Sequence, residues 1–214
     1  MRILSGLHFD APDQILCGYL GSVYQRYDSK PVQADNELSR EDVVISRSLV
    51  SRLSDGQVDA ILQLQPAITD CLSAIPANID LLDIEAGDPI PGEDAISRLV
   101  TEMCRLSGVK LAKTMKILHK KRPALLPILD SVVERHYWPA FVSSLPGRTW
   151  GDYAVALMHC FHKDLLHVGH HLRELRGLSI ERGTPLSHCR ILDLLIWCAR
   201  TNNADYFRRR STMG

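Results

Sequence analysis

Apolar residues recur at intervals of three and four positions along most of the chain, which is the period of an amphipathic helix. Leu111, Met115 and Leu118 show this pattern. Strict alternation of apolar and polar residues, which would indicate half-buried strands, is nearly absent. The pattern therefore predicts an all-α protein with helices over residues 12–27, 39–53, 58–64, 67–75, 94–106, 111–121, 132–142, 150–176 and 187–196.

Several of these helices begin with a residue that favours the N-cap position. Ser39 is followed three positions later by Asp42, Thr149 precedes the longest helix, and Ser187 precedes the last one. Their side-chain oxygens can accept hydrogen bonds from the free N–H groups of the first turn. The basic tail at 208–210 has no such signal, and we expect it to be frayed.

The stretch from Leu106 to Arg135 combines a turn, a basic helix and one acid at the head of a further helix. Gly108 can adopt the positive φ that a tight turn between two helices needs. Two prolines then interrupt regular helix. Asp130 comes directly before the next helix, where Ser131 and Glu134 have the spacing of a capping box.

These residues resemble the helix-hairpin-helix DNA glycosylases, whose hairpin has the form L-P-G-V-G and whose later motif has the form V-D-T-H-V-x-R. The matching residues are Leu106, Gly108 and Val109 in the hairpin, and Asp130, Val133 and Arg135 in the second motif. The separation of 22 residues from Gly108 to Asp130 (130 − 108) is the one that this family uses. Ser107 stands where the family has proline, and Lys110 stands in place of its second glycine.

The resemblance implies a helix-hairpin-helix glycosylase-like helical domain with Asp130 as the catalytic acid. It implies contacts with duplex DNA from the hairpin and the basic helix, at Gly108, Val109, Lys110, Lys113, Lys116 and Lys120. Tyr137 and Trp138, which are close to Asp130 in sequence, are the predicted pocket for an extruded base. The position of the family's lyase lysine falls on Ala112, so no Schiff-base chemistry is expected.

Each of these assignments has a structural alternative. An Asp such as Asp130 caps helices for its own reasons, and a glycine turn such as that at Gly108 is common between packed helices. Lysine runs are usually solvated faces, although Lys113, Lys116 and Lys120 fall on one side of the helix. Aromatic residues on helices more often pack in the core.

A histidine-rich segment lies on the long helix predicted at 150–176, where the histidines are His159, His162, His167, His170 and His171. His167 and His171 are four residues apart and can share a metal ion, but no acid lies between them as in H-E-x-x-H. A partly buried face held by hydrogen bonds is the simpler interpretation. We therefore predict no metal and no other cofactor.

Composition limits the function more than the fold. The chain has 214 residues, 45% of them apolar, and a net charge of zero. It suits a single all-α domain over 1–214, or two lobes formed by 1–92 with 186–214 and by 93–185. DNA binding must rely on a local patch, such as the six Lys and Arg residues between Val109 and Asp130. Because C-x-x-C spacing, a signal peptide and a long apolar segment are absent, we expect a cytoplasmic protein with reduced cysteines and no membrane contact.

A second resemblance covers most of the chain. The segments KRPALLPILDSVV at 121–133 and LSHCRILDLLIW at 186–197, with a further segment at 36–44, resemble an uncharacterised and mostly actinobacterial protein family. That family implies a fold related to the glycosylases but no activity. The first hypothesis is a DNA-binding protein of glycosylase-like fold that acts as a monofunctional N-glycosylase on a flipped base. The alternative is a non-catalytic helical interaction protein that retains the fold.

Overall fold

The computed structural model describes residues 1–30, 35–138 and 149–211. These ranges contain eleven α-helices: α1 Pro12–Leu20, α2 Arg40–Val44, α3 Asp55–Gln63, α4 Gln65–Ala74, α5 Glu93–Arg105, α6 Leu111–Leu118, α7 Ser131–Tyr137, α8 Trp150–His167, α9 Gly169–Glu181, α10 His188–Arg200 and α11 Ala204–Ser211. Short 3₁₀ turns lie at Val23–Arg26, Ile45–Leu49 and Leu81–Asp83. In the same ranges, extended pairing is limited to one antiparallel bridge between Arg2 and His8. The predicted all-α class is confirmed.

The predicted caps form at three helix starts. Ser39 and Thr149 each belong to a complete capping box, and the Ser187 side chain accepts from the backbone N–H of the third residue of α10. At α7 the prediction needs a correction. Asp130 itself is the N-cap, and Ser131 is the first helical residue rather than the capping one.

Three long helices of the prediction are broken in the structure. The segment 12–27 forms α1 as far as Leu20 and then a 3₁₀ turn at Val23–Arg26. The segment 150–176 is divided at Val168, and α9 begins at Gly169. A Cβ atom at Gly169 would lie 2.8 Å from Leu82 Cδ1, so the glycine allows a close approach at the bend. The segment 39–53 forms α2, a 3₁₀ turn and an irregular stretch before α3. The predicted helix 132–142 is α7 up to Tyr137, and its positions from 139 onward lie outside the described residues.

The basic tail is helical, contrary to the expectation that it frays. It lies in the last turn of α11, which packs against α1. A Cβ at Gly18 of α1 would lie 1.9 Å from the carbonyl oxygen of Phe207, so the two backbones are in direct contact. Arg210 donates to the Gly21 carbonyl, and Arg208 donates to the Asp10 carbonyl. The arginines therefore attach α11 to the N-terminal part of the chain.

One cluster of buried apolar side chains extends through the described ranges, from Ile3 to Phe207. Its central helix, α5, packs along α8 and against α4 and α6. A second, small cluster of Tyr27, Ile45 and Ile128 lies between the first 3₁₀ turns and the segment before α7. None of the helices in the described part of the chain is long and apolar enough to cross a membrane.

Candidate functional site

A cavity of about 360 Å³ opens between the start of α7, the middle of α6, the second 3₁₀ turn, α1 and α10. Its polar lining is formed by two acids, Asp130 and Asp193, and two cations, Lys116 and Arg190. Three aromatic residues and several aliphatic ones complete the wall. The volume lies within the ~300–1,000 Å³ that small-molecule sites occupy, and a mostly apolar wall with a few converging polar groups is typical of such sites.

Asp130 lies in this wall at the head of α7. Its Oδ1 accepts from the backbone N–H groups of Val132 and Val133, at 2.9 and 3.1 Å. Capping therefore uses one carboxylate oxygen. Within the described ranges the other oxygen, Oδ2, has no hydrogen-bond partner. The capping interpretation of Asp130 is confirmed, and the residue still lines an open cavity with acceptor capacity to spare.

Lys116, on α6, contributes one of the two cations of the cavity wall. Its Nζ donates to the carbonyl oxygen of Leu49 at 2.8 Å. Burial lowers the pKa of the Lys116 ammonium group, and Arg190 lowers it further, while Asp130 opposes the shift. Lys116 was predicted as a DNA contact on the surface of the basic helix, but the structure places it in the cavity wall.

Arg190 and Asp193 form the deeper, buried wall of the cavity. The Arg190 guanidinium donates to both carboxylate oxygens of Asp28 at 3.0 and 3.2 Å, to the Tyr19 hydroxyl at 2.6 Å, and to Asp193. Asp193 also accepts from the backbone N–H of Ile128 at 3.4 Å. Burial raises the pKa of Asp193 to about 7, although Arg190 counteracts the shift. This network joins α1, α10 and the segment before α7 at the floor of the cavity.

The aromatic residues of the cavity are not the predicted ones. Tyr19, Tyr24 and Trp197 line it, and Tyr24 meets Trp197 edge to face with ring centroids 5.8 Å apart. Tyr137 is buried, and its hydroxyl donates to Asp164. Trp138 is half exposed and packs on Tyr153 instead. The structure therefore does not bring Tyr137 and Trp138, the predicted base pocket, into the lining of this cavity.

The hairpin between α5 and α6 forms as predicted. Gly108 has φ 71°, and a Cβ there would lie 2.3 Å from Gln57 Nε2. Gln57 donates to the Ser107 carbonyl at 3.0 Å, and Lys113 donates to the Gly108 carbonyl at 2.8 Å and to Gln57 at 3.0 Å. Lys113 thus fixes the turn from within the same hairpin.

Lys110 is the exposed N-cap residue of α6, and it makes no side-chain cap. Its ammonium group lies 5.9 Å from the centre of the half-exposed Trp150 ring. In the described part of the chain, the backbone N–H groups of Leu111 and Ala112 have no acceptor. Val109 is buried beneath the turn. The start of α6 therefore presents the Lys110 ammonium and the partly exposed Ala112 at the surface, whereas Leu111 is buried.

The second half of the basic run is interior, so the prediction of one exposed basic side is wrong there. Lys120 is 4% exposed and donates to the carbonyls of Tyr27 and Lys30. Lys121 is fully buried and pairs with Asp35 and Asp42 at 2.6 and 2.7 Å. Arg122 is 2% exposed. Its guanidinium donates to the carbonyls of Leu72, Ile75, Asp35 and Lys121 and to the Asn36 side chain. These cations connect loops to the core and present no charge to a phosphate.

A second polar cluster contains a serine, a histidine and an aspartate but has the wrong hydrogen-bond directions for a catalytic triad. Ser5 Oγ lies 2.6 Å from His136 Nε2 and donates to Asp164, which also accepts from Tyr137 and from the Ser5 N–H. Arg200 donates to His136 Nδ1. Burial and then Arg200 lower the pKa of His136 to about 4, so the ring is neutral and its proton is on Nε2. His136 therefore donates to Ser5 and cannot act as its base.

The histidine-rich segment is divided by the bend at Val168. His162 bonds to the Ile84 carbonyl at 3.1 Å, and His159 pairs with Glu93. His167, His170 and His171 are exposed. Among the residues that the structure describes, no group of three or more His, Cys, Asp or Glu side chains could hold a metal ion.

Comparison with known proteins identifies a family that covers most of the chain. The chain belongs to DUF6308, a family of unknown function, whose family model matches residues 13–200. No curated protein and no solved structure matches the chain. The DUF6308 region runs from the start of α1 to the end of α10, so it contains every residue that lines the cavity. The expectation that most of the chain belongs to a family without a known function is thus confirmed, and the match does not test the likeness to the glycosylases.

Sequence reasoning missed most of this cavity, although one signal was present. Arg190 and Asp193 are three residues apart in an otherwise apolar helix, so two opposite charges lie on a face that must be buried. Such a pair predicts a buried ion pair, because lone charges are not tolerated in a core. Tyr19, Tyr24 and Trp197 gave no comparable signal, since nothing local links α1 to α10.

Proposed function

We propose that this protein binds duplex DNA with a helix-hairpin-helix glycosylase-like fold and hydrolyses the N-glycosidic bond of a flipped nucleotide without a lyase step. One observation carries the proposal. Asp130 caps α7 with one carboxylate oxygen and lines a cavity of about 360 Å³. It follows the glycine of an α5–α6 hairpin at the separation found in the glycosylases that the sequence resembles.

The chemistry needs a carboxylate at this position. Cleavage of an N-glycosidic bond builds positive charge on the sugar, and a fixed negative charge nearby stabilises it. The same carboxylate can deprotonate the attacking water. Asp130 is oriented for both tasks, because two backbone N–H groups of α7 hold its Oδ1 and leave Oδ2 free for the reaction.

DNA would contact the protein at the start of α6. The ammonium of Lys110 and the N–H group of Ala112 suit a backbone phosphate. Lys116 is four residues further along α6 than Ala112, roughly 6 Å along the helix axis at ~1.5 Å per residue. A duplex that rests on the hairpin therefore lies within reach of the cavity for a nucleotide turned out of the helix.

The test measures base release from a panel of duplexes that each carry one deaminated, oxidised or alkylated base. The wild-type protein should release at least one of them, and Asp130→Asn should lower that rate by ~10²-fold or more. Asn caps almost as well as Asp, so the melting temperature should hardly change. Absence of release by the wild type from every duplex would rule out the activity.

Binding is measured separately, on a duplex with an abasic-site analogue and on the intact duplex. Lys110→Glu should weaken binding to both and reduce the salt dependence, because a phosphate contact is lost. Lys163→Glu is the matched control, since Lys163 is an exposed lysine on α8, away from the hairpin. Equal effects of the two substitutions would contradict the assignment of the DNA surface.

A second candidate function is a non-catalytic interaction protein that retains the fold. The observation in its favour is that Lys120, Lys121 and Arg122 are buried. Because the chain has no net charge, few cations remain exposed on the hairpin side. Under this alternative, binding to the abasic and intact duplexes would be equal and weak, and Asp130 would serve as a helix cap alone.

A further inference from the structure

We propose that Lys116 is the proton donor to the departing base in the reaction at Asp130. This inference rests on the proposed function and adds a second catalytic residue to it. The sequence marked Lys116 only as one of several phosphate contacts. Its position in the cavity wall, on the same lining as Asp130, indicates a different task.

The ammonium group of Lys116 is positioned by one hydrogen bond and has further donors unused. One N–H donates to the Leu49 carbonyl at 2.8 Å. A protonated lysine has three N–H groups, and in the described part of the chain the other two have no acceptor. A partly buried amine with two unused donors, facing a cavity that Asp130 also lines, is ready to bond to an acceptor atom of a ligand.

The carbonyl that holds Lys116 is fixed by an unusual backbone. Val50, the residue after Leu49, has φ 60° and ψ 23°. A β-branched residue rarely adopts this left-handed conformation, and such outliers cluster at binding and active sites. Val50 also lines the cavity and is 67% exposed, and the Oγ of the next residue, Ser51, is buried without a partner. The loop thus keeps a costly geometry at the point where it positions the amine.

The charges around Lys116 favour an amine that gives up its proton readily. Burial lowers its pKa, and Arg190 on α10 acts in the same direction. Asp130 at the head of α7 and Asp193 on α10 raise it, which keeps the proton on the amine in the resting site. The other titratable groups that line the cavity are the hydroxyls of Tyr19 and Tyr24. An acid whose pKa lies nearer to neutral transfers its proton more effectively.

The proposed step balances as a hydrolysis. An Nζ–H of Lys116 passes its proton to a nitrogen or oxygen of the base as the C1′–N bond breaks, and the bonding pair leaves with the base. Asp130 accepts a proton from water, whose oxygen forms the new bond to C1′. Solvent then returns the proton from Asp130 to Lys116. The products are the neutral base and an abasic sugar.

Two substitutions distinguish proton donation by Lys116 from electrostatic attraction by its positive charge. Lys116→Arg keeps the positive charge, but a guanidinium does not lose its proton in proteins. Lys116→Met removes both the positive charge and the proton that could be transferred. If Lys116 is the acid, both variants should lose ~10²–10⁴-fold in single-turnover base release, which is the usual contribution of general acid catalysis. Binding of the abasic duplex should change little in Lys116→Arg, and Lys163→Met, at an exposed lysine on α8, should behave as the wild type.

The pH profile of the wild type gives a measurement that needs no variant. Release should decline on the alkaline side below the ordinary lysine pKa of ~10.4, and this decline should be missing from the residual activity of Lys116→Arg. Retained release by Lys116→Arg would overturn the inference and leave Lys116 as a charge contact. A covalent adduct trapped on Lys116 by borohydride would overturn it too, because the amine would then be a nucleophile. Release that is lost only in Asp130→Asn would leave the proposed function standing without this residue, whereas a wild type that releases no base refutes both.

Discussion

Asp130 and Asp164 are both aspartates at the centre of a polar cluster, but the two clusters differ in what remains unused. Asp164 is buried and accepts from the Ser5 N–H, the Ser5 hydroxyl and the Tyr137 hydroxyl. Asp130 accepts from two N–H groups with a single oxygen and lines a cavity. Protein donors therefore bond to both oxygens of Asp164, whereas one oxygen of Asp130 remains available to a ligand.

The comparison shows why residue types alone are a poor guide to a site. The Asp164 cluster has the serine and histidine of a familiar hydrolase, but the Arg200 contact fixes its histidine as a donor. The Asp130 cavity lacks any familiar set, and its amine and carboxylate come from α6 and from the start of α7. Spare hydrogen-bonding capacity at an open wall distinguishes the candidate site from the Asp164 cluster.

Among single substitutions at a fixed pH, the largest expected loss of stability is at Asp164. Asp164→Asn keeps the size of the side chain but turns one acceptor into a donor that faces the donors of Ser5 and Tyr137. Unfavourable burial of unpaired donors should lower the free energy of unfolding by roughly 3 kcal/mol. Asp130→Asn should cost only a few tenths of a kcal/mol. Urea titration of the two variants measures this difference. Similar losses of stability would contradict the distinction between the Asp164 cluster and the Asp130 cavity.

The next effect is a loss of stability in mild acid. The pKa of His136 is about 4 in the folded protein, and that of the buried His119 is about 4 as well, against ~6.5 in an unfolded chain. Between these values the unfolded chain binds more protons, so the free energy of unfolding should fall as the pH decreases from about 6.5 to 4. Each histidine contributes at most about 1.4 kcal/mol per pH unit.

His136→Gln separates the two contributions. Gln can still accept from Arg200 and donate to Ser5, but it does not titrate. Melting curves of this variant between pH 4 and 7 should therefore show a shallower pH dependence, due to His119 alone. An unchanged slope would mean that His136 is already protonated in the fold, and its Nδ1 could then not accept from Arg200.

A smaller effect is expected at Val50. Val50→Gly removes the Cβ that makes the left-handed backbone costly, and the free energy of unfolding should rise by about 1 kcal/mol. Val50→Ala is the matched control, because alanine keeps the Cβ and gains nothing from the change. Thermal melting compares the two. A glycine variant no more stable than the alanine one would show that the loop holds no strain.

Local signals predicted the helices well and the site only in part. The Gly108 turn, the Asp130 cap and the caps at Ser39, Thr149 and Ser187 depend on a few neighbouring residues, and all of them form. Such features are set by backbone geometry and hydrogen bonds within one turn, which sequence spacing encodes directly.

The cations of the central run could not be placed from local sequence. Lys116 and Lys120 fall on the same side of the predicted helix 111–121 by periodicity, but which side faces solvent depends on segments far along the chain. Lys120 is covered by the carbonyls of Tyr27 and Lys30, and Lys116 by that of Leu49. The partner carbonyls come from irregular loops, whose paths no helical pattern predicts. The aromatic wall of the cavity was missed for the same reason.

The contact between Gly18 and Phe207 bears on how the chain reaches this structure during synthesis. The two residues are 189 positions apart (207 − 18) and meet backbone to backbone. At ~5–20 residues per second, a ribosome needs roughly 10–40 s to add the residues between them. For that time the glycine face of α1 lacks the helix it packs against, so α1 is among the last of the described helices to complete its native packing.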